Sequence, residues 1–159
     1  MNDELTAEDR EHLEVAIAQA RLSRDEGGVP IGAALVADGE VLGSGRNRRV
    51  QMGSAIRHGE TDALEDAGRR PATVYRRSTM YTTLSPCHMC TGAILLYGIG
   101  RVVIGERETF AGPEHLLAAA GVEIVHAGDD ECVALMTDFV TEHPELWNED
   151  IGVDHMWED

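Results

Sequence analysis

His58-Gly59-Glu60, followed downstream by Pro86-Cys87-His88-Met89-Cys90, is the stretch on which the reading of this chain turns. It offers one imidazole and two thiolates, ligand types that zinc accepts. Zinc favours four tetrahedral ligands, so three from the protein leave the fourth position for water. Bound zinc brings the pKa of such a water down to about 7. Glu60, two residues after the histidine, sets a carboxylate beside that water without being a fourth ligand. A metal, a water and a proton carrier together predict hydrolytic chemistry.

Each half of the pattern says little alone. Cys-x-x-Cys also marks redox pairs and structural zinc sites, and an isolated His-x-Glu carries almost no information. Together they predict an open catalytic metal site, with a proline directly before the first cysteine and 26 residues between Glu60 and Cys87. Two other readings compete. A closed structural zinc would draw its fourth ligand from Cys132 or a remaining histidine. A thioredoxin-like redox pair would use the cysteines and leave His58-Gly59-Glu60 unexplained.

The chain's 159 residues predict one domain, 1–159, built on a single core. Hydrophobic content of 43% and charged content of 26% are those of a soluble globular chain. No apolar run approaches the ~18 residues that a bilayer span needs. Met1-Asn2-Asp3-Glu4 is acidic where a secretion signal is basic and then apolar. Three cysteines, two of them in metal spacing, are no disulfide framework, so a reducing cytoplasm is expected. The formal charge of −16 argues against binding long nucleic acids, which need clustered cations. All 13 cations are arginine; the pairs Arg69-Arg70 and Arg76-Arg77 read as solvated loops, with a small basic patch as the alternative.

Thr6 can cap a first helix with Asp9 at the capping-box position. Leu13, Ala16, Ile17 and Ala20 give that helix one apolar face, and Gly27-Gly28 ends it. Ile31 to Val36 reads as a buried strand, Asp38-Gly39 as a hairpin turn and Val41 to Gly45 as its partner. A second helix is expected from near His58 to before Pro71, then a strand over Thr79 to Thr83. Pro86 suits the first turn of the next helix, which runs to Gly98. Strands over Arg101–Ile104 and Val122–Val125 flank a short helix at Pro113–Ala120, and a further helix covers Asp130–Glu142. An acidic tail carrying Trp147 and Trp157 follows. Alternating strands and helices predict a layered α/β domain.

Both metal-binding segments fall at predicted helix N-termini, where free N–H groups and the helix dipole help keep thiolates ionised. Cys87 and Cys90, spaced i, i+3, face the same way. The site is expected at one edge of the sheet, where two neighbouring helices start.

The His-x-Glu and Pro-Cys-x-x-Cys pair is the signature of zinc-dependent base deaminases. Other stretches extend it: Glu26-Gly27-Gly28-Val29-Pro30-Ile31-Gly32, Tyr81-Thr82-Thr83-Leu84-Ser85, Thr91-Gly92-Ala93-Ile94, Tyr97-Gly98-Ile99 and Glu149-Asp150-Ile151-Gly152. On these residues, about 8 to 152, the chain resembles the yeast-type cytosine deaminases of the cytidine deaminase-like superfamily. The resemblance implies a three-layer α/β/α fold with a five-stranded mixed sheet, a homodimer, and one Zn2+ per subunit. It places the metal ligands on His58, Cys87 and Cys90 and the proton carrier on Glu60. It places substrate contacts on Asn47, the backbones of Gly59 and Ser85, and Asp150, with apolar walls from Ile31, Phe110 and Trp147. The tail from about 144 to 159 becomes a lid over the site.

Plainer readings stand beside these. Asn47 could simply belong to a loop turn, Phe110 and Trp147 to the core, and Asp150 to a solvated acidic tail beside Glu149. Three positions depart from the family pattern: Arg46 where histidine is usual, Asn148 in place of an aromatic, and His88 between the cysteines. Arg46 and Asn148 are expected near the pocket or its lid, and His88 behind the metal ligands or at the surface, with a spurious ligand as the alternative. The activity implied is hydrolytic deamination of a free nucleobase, cytosine first. Isocytosine, guanine, a pterin or creatinine are alternative substrates. A tRNA adenosine deaminase and a non-enzymatic zinc-stabilised domain are further alternatives.

Overall fold

Helix α1 (Ala7–Asp25) opens on the capping box expected from its sequence. Thr6 Oγ1 accepts from the Asp9 amide and the Asp9 carboxylate accepts from the Thr6 amide, each at 3.0 Å. Strands β1 (Gly32–Ala37) and β2 (Glu40–Arg46) follow as a hairpin, its turn made by Asp38 and Gly39 at φ 53° and 75°. The chain continues through α2 (Arg49–Met52), α3 (Gly59–Ala67), α4 (Ala72–Arg76), β3 (Ser78–Leu84) and α5 (His88–Tyr97). It closes with β4 (Arg101–Glu106), α6 (Glu114–Ala119), β5 (Glu123–His126), α7 (Asp130–Glu142) and α8 (Pro144–Asp150). This computed structural model describes residues 4–153, so Trp157 and most of the acidic tail's end lie outside the described residues.

The five strands form one mixed sheet in the order β2-β1-β3-β4-β5, with β1 antiparallel to both neighbours and β3, β4 and β5 parallel. Side chains alternate across it. Ala33, Leu35, Met80, Val102 and Ile104 pack under Ala63, Ala67, Tyr75, Ile94 and Leu117 from α3–α6. Ala34, Val36, Tyr81 and Val103 face Leu13, Ala16 and Ile17 of α1 and Cys132 of α7. Both faces are covered, which is why β1 is buried along its whole length and reads as an unbroken apolar run. This is the three-layer α/β/α arrangement expected.

Helix α3, which carries the site, lies directly on β2. A Cβ at Gly43 would stand 2.4 Å from the Ala67 backbone nitrogen, and one at Gly45 would stand 2.4 Å from that of Ala63. Two glycines two residues apart on one strand face therefore set the depth of α3.

Three elements escaped the sequence reading. Helices α2 and α4 are single turns with no room for a periodic apolar face. Helix α8 stands where the sequence predicts only an acidic tail; it forms because Pro144 ends α7, removes an N–H and fits the first position of a new helix. Two placements also change. The site stands at the C-terminal end of β3, a central strand, and not at a lateral edge. Cys87, not Pro86, begins the helix as its cap.

Candidate active site

His58 is the N-cap of α3 and Cys87 the N-cap of α5, so the ligands come from two helix starts. Thr61 Oγ1 accepts from the His58 amide at 3.0 Å and donates to the Ile56 carbonyl at 2.6 Å, which fixes the backbone at the start of α3. His58 Nδ1 lies 3.4 Å from Cys87 Sγ and 3.7 Å from Cys90 Sγ. Tetrahedral zinc with ordinary Zn–N and Zn–S bonds needs N···S separations of about 3.5 Å. The three donor atoms lie within 4.8 Å of one another. Geometry and donor set both fit zinc. Cys132 sits instead in the core under α1, so the closed site that used it finds no support.

Without metal, one thiol is held ionised while the imidazole and the second thiol keep protons that a metal must displace. Cys87 is brought down to about 4 by a hydrogen bond from the Cys90 thiol, against burial, with His58 and the Cys90 backbone N–H helping. Donating that bond, burial and Glu60 push Cys90 up. Burial pulls His58 down, but Cys87, Asp150 and Glu60 overcome it and raise it to about 9. Burial, then the Cys87 charge, raises Glu60.

Glu60 lies on the first turn of α3 and is buried. Its Oε1 is 2.5 Å from Thr82 Oγ1, whose other neighbour is the Leu84 carbonyl at 3.0 Å. Gly59, also at that helix start, has an N–H with no intrahelical acceptor. A Cβ there would meet the Gly32 backbone at 3.2 Å, so the start of β1 presses against it.

Ile31, His58, Glu60, Ser85, Cys87, Phe110, Trp147 and Asp150 line one small cavity with Leu84 and Ile151. Its free volume is about 20 Å³, room for one water. Phe110 and Trp147 meet edge to face, ring centroids 5.8 Å apart. Trp147 and Asp150 are i, i+3 on α8, so one face of the helix delivers both. Asp150 Oδ2 is 3.4 Å from His58 Nε2, and its Oδ1 accepts from Asn47 Nδ2 at 3.1 Å. A carboxylate behind a ligating imidazole fixes its tautomer and orientation. Asn47, directly after β2, is wholly buried; its Oδ1 accepts from the Arg49 amide, which orients the side-chain amide. Ser85 commits its N–H to the Glu106 carbonyl, leaving its own carbonyl as the backbone group it can offer.

Several contributors had no local signal. Asp62 Oδ1 accepts from Arg48 Nη2 at 2.5 Å and Arg57 Nη1 at 2.8 Å, and its Oδ2 accepts from the Arg46 amide at 3.0 Å. It thereby ties the loop bearing Asn47 to the helix bearing Glu60. Ser85 Oγ donates to Glu114 at 2.7 Å and accepts from the Gly112 amide at 2.9 Å, fixing the Phe110 loop. Expectations for the departing residues are partly corrected. Arg46 turns away from the cavity to pair with Glu26 at 2.7 Å, because that carboxylate stands within reach of its guanidinium. Asn148 lies on α8 but does not line the cavity, and His88 is exposed. Glu149, its side chain mostly exposed, is ion-paired with Arg49.

The family of the cytidine and deoxycytidylate deaminase zinc-binding region matches residues 6–106. The cytosine deaminase of Candida albicans is 55% identical over 149 residues, covering 93% of this chain and 99% of that protein. A tRNA-specific adenosine deaminase of Bacillus subtilis is 35% identical over 99 residues, 62% of each chain. Among solved structures, one from a study of tRNA deaminases acting at the wobble position superposes with a TM-score of 0.68 at 25% identity, covering 79% of this chain and 99% of that one. The guanine deaminase of Nitrosomonas europaea gives 0.69 at 21% identity, over 87% and 86%, a likeness of fold.

Proposed function

Because this chain belongs to the cytidine and deoxycytidylate deaminase zinc-binding family, we propose that it hydrolyses cytosine to uracil and ammonia. The observation that carries this reading is Asp150, which lines the cavity beside His58 and accepts from the buried Asn47 behind it, facing apolar walls from Ile31, Phe110 and Trp147. The Candida albicans cytosine deaminase supports it by its identity over nearly the whole chain.

His58, Cys87 and Cys90 would hold the zinc, which when bound would supply a water acidified toward neutral pH. Glu60 takes a proton from the attacking water and delivers it to the ring nitrogen beside the amino-bearing carbon. A second proton passes through Glu60 to the departing amine, so water and cytosine leave as uracil and ammonia. Asp150 and the Ser85 carbonyl accept from the exocyclic amine. Asn47 and the Gly59 amide hold the carbonyl edge. Ile31, Phe110 and Trp147 sandwich the ring and keep bulk water out. Analogues lacking those edges leave buried polar groups unpaired, which is how such a pocket rejects them.

We place the protein in a reducing cytoplasm, where free thiolate ligands persist and uracil enters pyrimidine salvage. No helix among the described residues is long and apolar enough to cross a membrane. We also assign a homodimer. Helix α5 carries no Asp, Glu, Lys or Arg, and turns Met89, Leu95, Leu96 and Tyr97 outward, Leu96 at 75% exposure. It borders a groove of about 890 Å³ with α3 and α4, rimmed by Arg69, Arg70 and Arg76. An apolar helix face of this kind calls for a partner. Light scattering of the wild type and Leu96→Asp tests it: the wild type should be dimeric and the variant monomeric.

Ammonia release from zinc-loaded protein over a panel of bases and nucleosides tests the activity. Cytosine should exceed isocytosine, guanine, a pterin and creatinine, and cytidine should turn over slowly because α8 and the Phe110 loop could not close over its ribose. Faster turnover of cytidine, or of adenosine in a tRNA stem-loop, would overturn the assignment.

A further inference from the structure

Helix α8 brings Trp147 and Asp150 to the cavity, and that inner face is held by Trp147 packing and by Asp150's contact with Asn47, while its outer face rests on charge. At seven residues it is too short to persist alone, since isolated helices below about 12–15 residues are marginal in water. It carries Glu145, Glu149 and Asp150 and no Lys or Arg, in a chain of net charge −16. Among the described residues one guanidinium answers it, beside the His58 imidazole at 3.4 Å from Asp150. Arg49 Nη2 donates to Glu149 Oε1 at 2.9 Å, Nη1 reaches Glu149 Oε2, and Nη1 also lies 3.4 Å from Asp150 Oδ1. The guanidinium is itself anchored: Nε donates to the Ala55 carbonyl at 2.9 Å, and the side chain is only 13% exposed. Its backbone N–H orients Asn47 at 3.1 Å.

We propose that Arg49 is a positioning residue that latches α8 shut, setting where Asp150 and Trp147 stand over the bound base. A two-pronged guanidinium–carboxylate contact fixes direction as well as distance, which a lysine does not do. It also puts positive charge at the C-terminal turn of α8, the favourable end. The latch must release. A cavity of about 20 Å³ admits no base while α8 and the Phe110 loop are closed. The exposed side of the contact is Glu149, at 64% exposure, where solvent and salt can compete, while Asp150 is at 2%.

The inference rests on the cytosine reading for its kinetic test but not for its structural one. Arg49→Met, Arg49→Lys and Glu149→Gln are compared with the wild type, each checked for zinc content. With cytosine, Arg49→Met should raise KM about tenfold while kcat falls less, and Glu149→Gln should raise KM a few-fold. Arg49→Lys should recover part of the loss. Cytosine is uncharged, so a rise of KM with salt in the wild type reports the protein, and Arg49→Met should flatten it. Hydrogen exchange over 145–150 should quicken in Arg49→Met and Glu149→Gln without substrate. Unchanged KM and unchanged exchange in both variants would overturn the latch. So would equal losses of kcat and zinc, which would place Arg49 behind the metal. If the wild type turns over no cytosine, the functional reading fails and the exchange comparison still decides the latch.

Discussion

Thr82 Oγ1 lies 2.5 Å from Glu60 Oε1 and 3.0 Å from the Leu84 carbonyl, inside the core. That placement suits a proton carrier in both of its states. Ionised, Glu60 accepts the hydroxyl proton; protonated, it can donate to the same oxygen while the hydroxyl turns to Leu84. Thr82→Val removes this partner from a buried carboxylate and should lower kcat about 10- to 100-fold, the value of a hydrogen bond to a charged group. Thr82→Ser should keep most activity. Glu60→Gln should cost about 10²–10⁴-fold with zinc retained, read by ammonia release and metal analysis.

Zinc binding should release protons. At pH 7 His58, raised to about 9, and Cys90, pushed up, are protonated, while Cys87, at about 4, is already a thiolate. A dication therefore displaces close to two protons, and affinity should fall steadily as pH falls. Titration calorimetry in buffers of different ionisation enthalpy measures the number. Release near zero would contradict the protonation pattern. Replacing His58, Cys87 or Cys90 by alanine should lower zinc content and Tm together. Cys132→Ala should keep the zinc and lose about 1 kcal/mol of stability, as a core truncation.

Asp150→Asn sets an amide against Asn47 Nδ2 and His58 Nε2, where both now face a carboxylate. kcat/KM for cytosine should fall about 10- to 100-fold, since one acceptor for the exocyclic amine is weakened and the imidazole loses its charged support. A drop of less than twofold would return Asp150 to a solvated tail.

Gly112→Ala tests the Phe110 loop. A Cβ at Gly112 would stand 1.7 Å from the Pro86 carbonyl, a backbone group that cannot yield. The loop must lift, breaking the Gly112–Ser85–Glu114 links and moving Phe110. KM for cytosine should rise several-fold with zinc content unchanged.

What the sequence determined by itself was everything carried by local periodicity or by short spacing. The Thr6–Asp9 capping box, the Asp38-Gly39 turn and the apolar run of β1 are statements about neighbours in the chain, and all are present in the fold. His58, Cys87 and Cys90 were legible because metal ligation demands residue types that few other roles combine. The tertiary structure alone decided which distant groups meet. Asn47 reaches Asp150 across 103 positions and Arg49 reaches Glu149 across 100, while Asp62 gathers Arg46 from the end of β2, Arg48 from just before α2 and Arg57 from just before α3. Such pairings leave no periodic trace, because a polar partner is chosen by how closely helices and strands pack. Here the glycines of β2 let α3 down onto the sheet, and Pro144 turns α8 back over the metal ligands.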